Sequence, residues 1–196
     1  GKVIEFAKLM PLAGSGVFGG ATGDIKGGAN FYDNIDSNNT QGVEGGNYDI
    51  AISLLNNKEA YRYNVLFTPG LFNSLHTSQV TNIITNTISR GDYLYVPDMV
   101  PYSSTINEAI NQAVSRDTSY AATYWPWVKC QDPATGKQVW LPASTVVPGV
   151  YAYNDKVAAP WFAPAGINRG GLNTVSYAKY KLTQANKDSL YDEYLL

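Results

Sequence analysis

From Tyr48 onward, apolar positions recur with two alternating periods. Over "YDIAISLLNNKEA", Tyr48, Ile52, Leu55 and Glu59 fall at helical spacing, and Asn47 can cap the start. "YNVLFTPG", residues 63 to 70, is a short apolar run closed by Pro-Gly, which predicts a buried strand and a turn. "TSQVTNIITNTISRG" then places Val80, Ile83, Ile84, Thr87 and Ile88 on one helical face. Thr77 is its cap, Arg90 sits in its last turn and Gly91 stops it. "DYLYVPDMV" is a second apolar strand. Thr105-Ile106-Asn107-Glu108 fits a capping box, opening a helix that turns Ile106, Ala109, Ile110, Ala113 and Val114 inward.

"YAATYWPWVKC" predicts a third strand, aromatic and near an edge, because Pro126 cannot donate to a ladder. "QDPATGKQVWLP" reads as a hairpin about Thr135-Gly136. "ASTVVPGVYAYNDK" suits a helix with Pro148 in its first turn. "TVSYAKYKL" can be extended, and Thr183 can cap a last helix over "QANKDSLYDEYLL".

Short apolar strands alternating with amphipathic helices predict an α/β fold: a doubly wound, mostly parallel sheet with helices on both faces. Residues 13 to 47 break the pattern. Their density of Gly and Asn favours turns and left-handed backbone, so this region reads as irregular loop. The expected division is an N-terminal strand and Gly/Asn-rich loop region over 1–46, and an α/β core over 47–196, together one structural domain. The chain begins without Met, and it reads as a piece of a longer protein.

Composition sharpens this picture. Only 15% of the 196 residues are charged, while 15 Tyr and abundant Asn, Ser and Thr give a neutral polar surface. Such a surface suits packing against other protein, since charge is depleted at interface cores. The net charge of −2 and the scattered Lys and Arg give no reason to expect nucleic acid as partner. No apolar run approaches the ~18 residues that span a bilayer, so no membrane partner is expected. A single cysteine, Cys130, excludes an intrachain disulfide and a cysteine-cluster metal site; a single histidine, His76, excludes multi-histidine sites.

Candidate chemistry is sparse. Gly14-x-Gly16-x-x-Gly19 matches the dinucleotide fingerprint, but the residues after it are poor helix formers, so a glycine loop is the better reading. His76 follows the first strand, with no nucleophile in a known context at Ser74 or Ser78; it reads as a structural histidine at a helix entry. Cys130 sits beside Lys129 but follows an aromatic run, where a small buried hydrophobe fits. Asp92, Asp98 and Asp117 would hold magnesium only if two of them converged. Asn38-Asn39-Thr40 is a short sequon match. No catalytic site, cofactor or metal is expected, and the chain does not read as an enzyme.

The least ordinary stretch is "AAPWFAPAGINRGG", residues 158 to 171, which can be neither helix nor central strand. With the preceding helix it gives "YAYNDKVAAPWFAPAGINRGGL", residues 151 to 172. This resembles the signature of contractile phage tail sheath proteins, carried here by Tyr151, Tyr153, Asp155, Pro160, Trp161, Phe162, Pro164, Ala165, Gly166, Asn168, Arg169 and Gly170. The order of "GGNYDIAISLLNNKEAYRYNVLFTPG" upstream is similar to the family's helix, linker and strand. The downstream "TQANKDSLYDEYLL" resembles the helix before its C-terminal domain. The likeness covers about residues 44 to 196, specific at 151–172 and architectural elsewhere.

The resemblance implies a structural subunit of the virion. Sheath subunits stack in six-fold rings around a tail tube, are assembled in an extended state and contract when the baseplate triggers them. The implied partners are further copies of itself, the tube protein and the baseplate. The family's N-terminal arm and C-terminal domain have no counterpart here, which implies a monomeric core piece. In that setting Pro160 and Pro164 would fix an extended path that presses Trp161 and Phe162 into the body. Arg169 would pair with carbonyls or a carboxylate inside the fold, or reach a neighbouring subunit. Two rivals stand beside this reading. One is a nucleotide-binding α/β enzyme using residues 14 to 20 or His76. The other is a tail surface recognition module with Trp125, Trp127 and Trp140 exposed together.

Overall fold

The computed structural model describes residues 45–159 and 161–192. The expected N-terminal strand, residues 13–44 of the expected loop over 13–47, the Gly14–Gly19 match and the sequon at Asn38 lie outside them, while residues 45–47 open a helix and are not loop. The order begins with α1 (Gly45–Leu55), β1 (Val65–Phe72), α2 (Thr77–Arg90), β2 (Leu94–Asp98) and α3 (Ile106–Val114). It continues through β3 (Val128–Gln131), β4 (Gln138–Leu141), a 3₁₀ turn (Ala143–Thr145), α4 (Val147–Val157), β5 (Val175–Ala178) and α5 (Gln184–Asp192).

The fold is mixed α/β, but the doubly wound parallel sheet does not form as expected. β1 and β2 pair in parallel, and a single parallel bridge joins Tyr95 to Ala121 on the other side of β2. The remaining strands form an antiparallel sheet in the order β4-β3-β5. The predicted third strand explains the difference. It breaks at Pro126, which has no N–H to offer a ladder. The half before Pro126 follows β2, where Tyr95 N–H donates to Tyr120 O at 3.0 Å and Ala122 N–H to Tyr95 O at 3.0 Å. The half after it becomes β3 and pairs antiparallel with its neighbours.

A second proline shapes the parallel pair. Val96 faces Phe67 and Asp98 faces Phe72, so Thr68 to Leu71 stand opposite Pro97 alone. The ladder skips where neither Pro97 nor Pro69 can donate. The Pro-Gly of "YNVLFTPG" is therefore a bulge within β1 and not the turn after it. Gly70 takes φ 96° there, a backbone conformation a side chain resists.

The main core gathers Ile52 of α1, Leu71 of β1, Val80, Ile83 and Ile84 of α2, and Tyr93 and Tyr95 about β2. Each such buried aliphatic side chain contributes roughly 1.5–3 kcal/mol by leaving water. Val80, Ile83, Ile84 and Thr87 are buried as predicted, but Ile88 is exposed and Arg90 is buried in its place. Thr77 is the first helical residue and His76 the cap; Gly91, at φ 70°, ends the helix by donating to Thr87 O at 2.8 Å. α1 stops at Leu55, short of Glu59, because Asn57 Oδ1 accepts from the N–H groups of Glu59 and Ala60 and holds a turn. Asn47 lies inside this helix, not at its cap.

A second cluster joins Met99, Val100, Ala109 and Ala113 to Leu190 of α5. The capping box of α3 forms: Thr105 Oγ1 accepts from Glu108 N–H at 3.4 Å while Glu108 Oε2 accepts from Thr105 N–H at 2.6 Å. The hairpin about Thr135-Gly136 and the extended run before α5 also form.

Candidate assembly surface

The signature segment is built on α4. Pro148 sits in its first turn, where a missing N–H costs nothing. Its residues then divide between the interior and the surface. Tyr151 turns inward: its hydroxyl hydrogen-bonds that of Tyr124 and the two rings meet edge to face. Burial, followed by that hydroxyl contact, raises the Tyr151 phenol well above the ordinary tyrosine range. Tyr153 is exposed, as is Asp155. Asn154, between them, is fully buried. Its Nδ2 donates to Phe162 O at 2.8 Å, pinning the following loop to the helix by its main chain.

The loop closes on itself through short-range bonds. Phe162 N–H donates to Ala159 O at 2.9 Å, and Gly170 N–H to Gly166 O at 2.7 Å. Gly166 takes φ 79°. A Cβ on Gly170 would stand 3.0 Å from Pro164 O and from Ala165 Cα, so a side chain there would push the two arms apart by a few tenths of an ångström.

This geometry turns the large side chains outward. Trp161 is 83% exposed and Ile167 98%, and Phe162 and Val157 are also exposed. The expectation that Trp161 and Phe162 are pressed into the body is overturned. What anchors the loop is main chain held by Asn154 and turns held by glycine, which frees the rings. Arg169 reaches neither carbonyl nor carboxylate among the described residues; its guanidinium lies 5.0 Å from the Phe162 ring centroid. Pro160 lies outside the described residues, Pro164 is half-buried and Asn168 is exposed. The result is a firmly held surface of unpartnered aromatic and aliphatic side chains with no nucleophile or acid–base pair in it. Its chemistry is contact.

The other candidates resolve as structural. His76 is buried, and its Nδ1 accepts from Phe72 N–H at 3.0 Å. Cys130 is buried in β3, where burial raises its thiol above the usual range despite neighbouring Lys129, whose ammonium lies over Trp140. Asp92 and Asp98 sit at opposite ends of β2, the first bound to Arg90 at 2.7 Å and the second to Ser144. Asp117 lines a groove of about 690 Å³ between Pro97, Met99, Thr123 and Tyr191. Among the described residues no three His, Cys, Asp or Glu side chains gather as a metal site would need. None of their helices is long and apolar enough to cross a membrane. The three tryptophans do not form an exposed cluster: Trp127 is buried and stacked on Phe72 at 5.8 Å, and Trp125 and Trp140 are half-buried.

Three residues carry more than their sequence positions suggest. Asn154 holds the loop. Asp98 joins β2 to the 3₁₀ turn. Arg90 donates to Leu55 O and to Tyr61 O, binds Asp92 and lies 4.4 Å from the Tyr63 ring centroid, gathering the end of α1 and its linker onto α2. A polar Asn in the aromatic run "YAYND" was the only legible hint.

No family model matches the chain. Among curated proteins, one segment is 31% identical over 87 residues to the tail sheath protein of Vibrio phage KVP40, covering 44% of this chain and 13% of that protein. The likeness is to phage tail sheath proteins. A second match has 37% identity over 54 residues to the tail sheath protein of Enterobacteria phage T4, covering 28% of this chain and 8% of that protein. The chain therefore spans a small part of the sheath proteins it resembles. Both comparisons support the resemblance to tail sheath proteins, and they favour a structural over an enzymatic role.

Proposed function

We propose that this chain is part of the core of a contractile tail sheath subunit, a virion component that assembles as stacked rings about a tail tube. The observation that carries the reading is the outward display of Trp161, Phe162 and Ile167 on a loop fixed by Asn154, Gly166 and Gly170, in a chain similar to two phage tail sheath proteins. A lone domain has no use for rings held out in water on a braced loop. A subunit packed among copies of itself does, since buried aromatics dominate such contacts. In this reading Asn154, Pro164, Gly166 and Gly170 shape the loop, and Trp161, Phe162, Ile167, Asn168 and Arg169 meet a neighbour. Contraction is then an exchange between two sets of subunit contacts around bodies that stay rigid. The baseplate and the tube protein are the further partners in this reading.

Electron microscopy of the longer parent protein tests this. Sleeves of fixed diameter are expected, and persistent monomers would overturn it. The enzyme rival is tested by a thermal-shift screen with nucleotides and divalent cations. No stabilisation is expected, whereas a clear rise in melting temperature with any nucleotide would favour the rival.

A further inference from the structure

The parallel and antiparallel units meet along a largely aromatic seam. Phe72 stacks on Trp127, Trp127 meets Tyr102 edge to face at 5.5 Å, and Tyr102 lies 5.6 Å from Trp140. Trp127 Nε1–H donates to Val100 O at 3.2 Å. A carboxyl group stands beside this seam, opposite Phe72 in the parallel pair. Asp98, the last residue of β2, is 4% exposed, and Ser144, from the 3₁₀ turn that follows β4, is buried against it. Ser144 Oγ lies 2.5 Å from Asp98 Oδ2, and Ser144 N–H donates to Oδ1 at 3.3 Å.

We propose that the Asp98 carboxyl is a proton-dependent lock between the two units, holding the 3₁₀ turn against β2 while protonated and releasing it when the proton leaves to water.

The surroundings argue for the neutral acid. A buried carboxylate needs a cation or several donors, and among the described residues the Asp98 side chain has only the two groups of Ser144. The charged and titratable groups nearby are committed elsewhere. Arg116 donates to Asn73 Oδ1 at 2.8 Å and to Thr77 O at 3.3 Å. His76, on the α2 side, holds Phe72 N–H. Lys129 and Lys179, from the antiparallel side, lie over Trp140 and Tyr102. Tyr95, on β2 itself, hydrogen-bonds Thr68 and would repel a charge on Asp98 if it were ionised. Consistent with this, burial pushes the Asp98 carboxyl up to about 7, and the two Ser144 contacts only partly oppose the shift. In the unfolded chain an aspartate titrates near ~4. Between these values the folded protein holds the extra proton, so the stability from this group is complete below the unfolded value. It declines as pH rises through about 7 and is flat beyond.

The test is ¹³C NMR titration of the Asp98 carboxyl in the folded chain, with hydrogen exchange between pH 5 and 8 corrected for its intrinsic pH dependence. A midpoint near neutrality is expected, with protection lost first at β3, β4 and residues 143–145 while β1 and β2 keep theirs. An ordinary carboxylate midpoint overturns the proposal, as does equal loss of protection in both units. Asp98→Asn, which keeps the shape without the proton, should flatten the fall in melting temperature over this range. An undiminished fall in that variant also overturns it. If the variant does not fold, the titration of the natural chain decides alone.

Discussion

The β1–α2–β2 unit and the loop 161–171 are both rich in large apolar side chains, yet they treat them oppositely. Leu71 and Tyr95 are wholly shielded, whereas Trp161 and Ile167 stand in water. The difference lies in the backbone. Strand and helix bring side chains onto one face at fixed intervals, so Val80, Ile83 and Ile84 converge on β1 and β2. A loop of prolines and glycines satisfies its own main chain and gives its side chains no common face. One region spends its apolar residues on stability; the other holds them ready for contact.

Substitutions can break this contrast. Leu71→Ala should cost about 2–5 kcal/mol in chemical denaturation, because it opens a cavity in a packed core. A cost under about 1 kcal/mol would mean that the core is not packed as described. Gly170→Ala forces a Cβ against Pro164 O and should cost roughly 1–3 kcal/mol, or else shift the loop and lose the Asn154–Phe162 bond. Retained stability with an unmoved loop would contradict the close approach. Thr105→Ala removes the capping box of α3 and should cost about 1 kcal/mol. The smallest effect on folding should come from Trp161→Ala and Ile167→Asp, each within about 0.5 kcal/mol of the natural chain. In the longer parent protein the same two changes should nevertheless abolish polymers seen by electron microscopy. Sleeves that form normally would remove the loop from the assembly surface.

Much of the fold was legible wherever a period was long and its ends were marked. α2 and α3 follow directly from apolar spacing, and the Thr105–Glu108 box and Gly91 fix their ends as expected. The hairpin at Thr135-Gly136 likewise follows from turn chemistry, with Gly136 at φ 70°. Strand partnership was not legible. Pro126 marks a break in "YAATYWPWVKC" but does not say that the two halves turn to different partners, because pairing is chosen by distant strands and not by local propensity. The same limit applies at the seam, where Asp98 and Ser144 are far apart in sequence and meet only after both sheets are placed.

The candidate surface divides in a similar way. Pro164, Gly166 and Gly170 announced a segment that could be neither helix nor central strand, and the chain's likeness to tail sheath proteins was legible in its residues alone. Whether Trp161 and Phe162 point inward or outward was not, since proline fixes a path but not the face a ring takes. That depended on Asn154 taking the main chain of Phe162 and on Arg169 covering one face of its ring.

The sequence by itself determined the helices of the core, the capping box of α3, the glycine stop of α2, the irregular course of residues 161–171 and the family the chain resembles, because these rest on neighbours within a few residues. Only the tertiary structure decided the split into parallel and antiparallel sheets, the burial of Arg90 and Asp98, and the outward turn of Trp161. Each depends on groups brought together from distant parts of the chain, where burial and hydrogen-bond satisfaction outweigh local preference.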